Sequence, residues 1–148
     1  RPVLQHTLAH VRDSGLPWHL EDAGHPGMGD SIAAAVRATP QSAGWLILPG
    51  DLPLVRGDTL RRVAAALGPG VEVAQARFEG RPGHPVGFSP ACGAALADLA
   101  GAEGAATVLR RAKAAGRFVW MDVDDPGVVT DIDTLADLAA AERILSAS

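Results

Sequence analysis

Three aspartates stand where carboxylate chemistry could be done. Asp51 lies within Gly44 to Val55, GWLILPGDLPLV, directly behind an apolar run. Asp131 and Asp133 flank Ile132 in the late segment DIDTLADL. Residues two apart on an extended segment point to one side, so these two carboxylates could work together. A hard cation such as Mg²⁺ takes one or two carboxylates and fills its shell with water and substrate phosphate oxygens. Asp51 could supply one such ligand, and Asp131 or Asp133 another. Each also has a purely structural reading. Asp51 can close a turn on nearby backbone, and Asp133 or Thr134 can cap the helix that follows.

The elements around Asp51 decide where it would be delivered. Trp45, Leu46, Ile47 and Leu48 show no polar alternation, which predicts a strand buried on both faces, in the middle of a parallel sheet. Pro49 and Gly50 end it. Asp51 is then expected at the C-terminal edge of that strand, where open α/β sheets bind ligands. Pro53 stiffens the exit, and Asp58 can cap a helix over 59–67. Upstream, Glu21 to Ser31, EDAGHPGMGDS, is a glycine-rich loop running into a helix over 31–38, with Asp30 or Ser31 as cap. Gly27 and Gly29 permit close approach of backbone to a ligand, and the helix N-terminus offers amide donors to an anion. The stretch matches neither GxGxxG nor GxxxxGK[ST], so a flexible loop before a capped helix explains it as well.

The remaining pattern predicts a helix over 2–13, short strands over 16–20, 71–78 and 86–89, and helices over 90–99 and 105–115. A strand over 117–123 and a last helix from about 134 complete it. EGRPGHP, Glu79 to Pro85, reads as a turn-forming stretch whose polar groups of interest are Arg81 and His84. Asp122, Asp124 and Asp125 form an acidic cluster behind the last strand. The alternation of helices and strands argues for an α/β layered fold with a mainly parallel sheet.

Composition narrows the function. A formal net charge of −4, with no Lys/Arg cluster beyond one helix face, argues against a nucleic-acid surface. Aromatics at 4% with no Tyr give no stacking platform for bases. No apolar run has the length of a membrane span. The single cysteine, Cys92, cannot pair within the chain, which fits a reducing cytoplasm. His6, His10 and His19 have no acidic or Cys neighbour at ligand spacing, so a metal site there is disfavoured.

Taken in order, GMGDS (Gly27 to Ser31), LPGDLPLV (Leu48 to Val55), GHPVGF (Gly83 to Phe88) and DIDTLADL (Asp131 to Leu138) resemble the MobA-like nucleotidyltransferases. The molybdopterin cytidylyltransferase branch is the most similar. The resemblance spans nearly the whole chain. It implies a Rossmann-like three-layer sandwich of the nucleotide-diphospho-sugar transferase type. It also implies Mg²⁺-dependent attack of an acceptor phosphate on the α-phosphorus of CTP, with pyrophosphate leaving. By that resemblance Asp51 is the metal-binding aspartate and Asp131 or Asp133 the late carboxylate. Gly27, Met28, Gly29, Ser31, Gly50, Pro53, Gly83, His84 and Pro85 would line the cleft, with His84 facing substrate rather than metal. Molybdopterin is the implied acceptor, and an apo-molybdoenzyme or its chaperone a possible partner.

The sequence also departs from that family. The glycine-rich signature that normally precedes a segment like Arg1-Pro2-Val3-Leu4 is missing, as is a strand and helix between Leu20 and Glu21. The chain 1–148 thus reads as a single domain of this type without its nucleotide-binding loop. Where a GD-x-GAR signature is common, Ala102 and Ala106 replace its Asp and Arg. Leu135 stands where the late motif usually has Pro. A sugar- or alditol-phosphate nucleotidyltransferase, or a non-catalytic cofactor-binding accessory protein, are the alternatives.

Overall fold

The computed structural model describes residues 9, 11–12, 15, 28–48, 52, 54–101 and 104–130. The expected helix over 2–13, the strand over 16–20 and the helix from 134 lie outside them or are touched only at isolated positions. Within them the order is helix α1 (Met28–Ala38), strand β1 (Trp45–Ile47), helix α2 (Gly57–Ala66) and strand β2 (Val73–Phe78). Strand β3 (Arg81–Phe88), a 3₁₀ turn (Pro90–Cys92), helix α3 (Gly93–Ala97) and helix α4 (Ala106–Ala114) follow. Strand β4 (Phe118–Asp122) and a second 3₁₀ turn (Pro126–Val129) close the series.

The strands form a four-stranded sheet in the order β1-β3-β2-β4. β3 is antiparallel to both β1 and β2, while β2 and β4 are parallel. The sheet is therefore mixed, which corrects the expectation of a mainly parallel one. The cause is local. Only Glu79 and Gly80 separate β2 from β3, with φ of 48° and 77°. Positive φ at both central positions is the turn that matches strand twist in a two-residue hairpin, and so short a link enforces antiparallel pairing. Among the described strands β1 stands at an end of the sheet, and Trp45, Leu46 and Ile47 are half-buried rather than fully buried as expected.

Alternation along the strands splits the core between the two faces. Val73, Val86 and Phe88 pack with Ile32 and Val36 of α1, Leu96 of α3, and Val108 and Ala112 of α4. Ala74 and Ala76 pack on the other face with Leu60 and Val63 of α2, together with Leu52, Val55, Val123 and Val128. Each large side chain so buried contributes about 1.5–3 kcal/mol of transfer free energy. Leu52, Val55 and Val128 matter beyond their burial, because they fasten connecting segments to the sheet.

Helix starts also differ from expectation. α1 begins at Met28, three residues before the expected Ser31, so Asp30 sits in its first turn. There Asp30 accepts a hydrogen bond from the Gly101 amide at 3.1 Å. α2 begins at Gly57, with Arg56 at its cap position and no side chain of the helix itself capping it. Asp58 is thus a first-turn residue rather than the cap.

Candidate functional site

The sheet edge at the C-terminal ends of β1, β2 and β4 is also the N-terminal end of β3, since β3 runs the other way. Three connecting segments meet there. The first is the segment after β1. Asp51, Gly50 and Pro53 lie outside the described residues, but Leu52 and Leu54 beside them are buried at 2% and 6% exposure.

The second segment is GHP. Far from being a loop before a strand, Gly83, His84 and Pro85 lie within β3. The register shows why they still stand out. Gln75 pairs with Val86 and Arg77 with Pro82, so Ala76 alone faces Gly83, His84 and Pro85 on the opposite strand. This is a bulge, the device that re-aims side chains next to active sites. It carries a cis peptide between His84 and Pro85. Gln75, which borders the bulge on β2 and is only 8% exposed, donates from Nε2 to the Gly83 carbonyl at 3.1 Å. Pro85 is fully buried, and His84 is half-buried.

The third segment runs from β4 through the 3₁₀ turn Pro126–Val129 to Thr130 and so to position 131. Its backbone presses on both of the others. A methyl group placed on Gly83 would lie 2.3 Å from the Val128 carbonyl oxygen, and one on Gly127 2.4 Å from that of Leu54. No side chain larger than hydrogen fits either position unless that backbone moves. The loop behind β1, the bulge and the turn leading to position 131 are therefore one interlocked unit.

The acidic cluster behind β4 separates into distinct roles. Asp122 forms a paired ion bridge with Arg77, at 2.7 Å and 3.0 Å. Those hydrogen bonds hold its carboxyl below the usual carboxylate range and raise the guanidinium in return. Asp124 is exposed and lends its carbonyl to Arg56. Asp125 is 2% exposed and accepts from the Arg56 amide at 3.0 Å, the Thr59 hydroxyl at 2.6 Å and the Gly127 amide at 3.0 Å.

The GMGDS segment is placed only in part. Gly27 lies outside the described residues, and Met28 and Gly29 open α1. Gly29 is buried, and its amide donates to the Gly101 carbonyl at 2.8 Å. A methyl there would sit 3.0 Å from the Ala100 and Gly101 backbone. This amide is used within the fold, so Gly29 docks α1 onto the segment before α4, while Ser31 is half-buried one turn in.

The candidate metal carboxylates Asp51, Asp131 and Asp133 lie outside the described residues, as do His6, His10 and His19. Among the described residues no group of three His, Cys, Asp or Glu side chains could hold an ion. No described helix is long and apolar enough to cross a membrane. Burial pushes the Cys92 thiol up, and its Sγ lies 3.5 Å from the Glu72 carbonyl in the core. It is a packing residue, as its neighbours suggest.

The sequence model of the MobA-like NTP transferase domain matches residues 2–141. The chain belongs to this family. It is therefore a nucleotidyltransferase domain. Similar solved structures include Rv0371c of Mycobacterium tuberculosis H37Rv as a manganese complex, with 25% identity and a TM-score of 0.66, over 93% of this chain and 84% of that one. A homologue of it from Mycobacterium sp. strain JC1 has 24% identity and a TM-score of 0.68, over 98% and 82% of the two chains. That second likeness speaks for the fold alone. No curated protein sequence matches the chain.

Proposed function

We propose that this MobA-like domain transfers CMP from CTP to a molybdopterin-type acceptor, with a divalent cation held by Asp51 and by Asp131 or Asp133. The observation that carries the reading is the interlock. The segment after β1, the GHP bulge and the turn leading to position 131 share one sheet edge and touch through backbone. A donor set made only of carboxylates suits a hard cation, Mg²⁺ or Mn²⁺. A structural neighbour whose crystals held manganese supports this choice. When bound, the cation neutralises charge on the phosphate oxygens.

In the reaction an acceptor phosphate oxygen bonds to the α-phosphorus of CTP, the bond to the bridging oxygen breaks, and pyrophosphate departs. Such transfer needs positioning and charge rather than covalent catalysis. The chain's own contribution is a rigid floor. Gln75 fixes the Gly83 carbonyl, so the bulge presents His84 at a set place for substrate contact. Gly27 to Ser31, Gly50 and Pro53 complete the cleft in this reading, and an apo-molybdoenzyme or its chaperone would receive the product in the cytoplasm.

The test is pyrophosphate release by the complete encoded protein with Mg²⁺ and each of CTP, GTP, ATP and UTP, with and without molybdopterin. Acceptor-dependent release with CTP is expected. Asp51→Ala should abolish it without altering the circular dichroism spectrum. Unchanged activity with normal Mg²⁺ dependence would sink the metal assignment. Ala102 and Ala106, in place of a charged pair, favour a second reading as a cofactor-binding accessory protein. Tight molybdopterin binding with no release from any nucleotide would select it.

A further inference from the structure

Asp125 is a buried acid that the proposed chemistry does not use. It is nevertheless the point at which two parts of the site are tied together. Its Oδ2 accepts from the Arg56 amide and the Thr59 hydroxyl, both at the start of α2, and its Oδ1 accepts from the Gly127 amide in the turn after β4. The Arg56 guanidinium lies 3.7 Å away, and its other arm reaches the Asp124 carbonyl. These partners are far apart in sequence: Asp125 lies 69 residues from Arg56 and 66 from Thr59. The same carboxylate therefore holds the start of α2 and clamps the turn that leads to position 131. Directly beneath it, Gly127 abuts the Leu54 carbonyl. Leu54 and Arg56 are among the described residues that follow Asp51 into α2.

We propose that Asp125 is a positioning residue of the transfer reaction, fixing the segment that carries Asp51 against the segment that carries Asp131. The inference rests on the proposed use of those two carboxylates. An ionised carboxylate is an acceptor on both oxygens, and all three described partners are donors. Asparagine keeps the shape but must turn an NH₂ toward either the Gly127 amide or the Arg56 amide, two donors face to face. Only the Thr59 hydroxyl can rotate to accept. One of the two clamped segments is therefore released whichever way the amide points.

The experiment compares Asp125→Asn, Thr59→Val and Thr59→Ser with the complete wild-type protein. Asp125→Asn should lower kcat by about 10- to 100-fold, the range seen when outer partners of ligating groups are removed. KM for the nucleotide should change little. Thr59→Val should act in the same direction, and Thr59→Ser, which keeps the donor, should restore wild-type kcat. Amide exchange of Asp125→Asn should quicken in residues 52–57 and 126–130 and stay unchanged in α3 and α4. A lowered melting temperature with kcat intact would show a merely structural acid and overturn the proposal. So would exchange unaltered in either segment. Should wild-type protein show no transfer with any nucleotide, the functional reading fails, and metal positioning with it. Exchange would then report whether the clamp itself exists.

Discussion

At position 83 the reason for glycine is a neighbour rather than a turn. The Val128 carbonyl occupies the space a Cβ would need, so Gly83→Ala must push apart the bulge and the turn that leads to position 131. We expect it to cost about 1–3 kcal/mol, the usual range for overpacking, and to shift the urea midpoint by a matching amount. The residue scale is also where sequence was least informative. Asp51, Asp124 and Asp125 look alike in sequence, each an acid close behind an apolar strand. What marks Asp125 out is the set of donors it meets, two of which lie 69 and 66 residues away in sequence. Gln75 gave no signal either, because its value depends on a bulge in the neighbouring strand. GHP stood out only through the family resemblance, while its prolines and glycines disguised a strand as a loop.

Among the elements, the β2–β3 hairpin departs most from expectation. Apolar runs and turn residues placed β1, β2 and β4 to within two residues, whereas β3 begins five residues before its expected start, and helices α1, α2 and α4 fell close to their expected spans. Strand direction was not legible in the same way. Parallel and antiparallel neighbours carry similar apolar runs, and direction here follows from the two residues between β2 and β3. Glu79 holds φ of 48°, a conformation that costs an ordinary L-residue. Asparagine accepts it more readily and, followed by Gly80, completes the preferred hairpin pair. Glu79→Asn should therefore stabilise the fold by about 0.5–1 kcal/mol, read as a higher urea midpoint with an unchanged slope. A lower midpoint would show that Glu79 has a role the turn alone does not explain.

Across the whole molecule, the sheet separates two apolar clusters that share strands but not side chains. Leu96 belongs to one and Leu60 to the other, both nearly inaccessible. Each changed to Ala should cost about 2–5 kcal/mol. Because they pack against opposite faces, the double variant should equal the sum of the singles within about 0.5 kcal/mol. A clear excess in urea unfolding would mean that strain passes through the sheet. The α/β class was readable at this scale from alternating elements, and the family from four motifs in order, because both depend on chain order rather than on contacts.

The strand order β1-β3-β2-β4 has a further consequence for a chain made from one end. The hairpin needs only neighbours in sequence, and β1 joins it through Trp45 opposite Phe88. Once residue 88 has left the ribosome, every residue of that three-stranded piece is available. β4 pairs with β2 beginning at Phe118 opposite Val73, so it must wait for some thirty further residues. The segment behind β1 and the GHP bulge thus have their sheet before the turn at 126–129 exists. Asp131 and Asp133, the late carboxylates of the proposed cation site, are synthesised only after that turn.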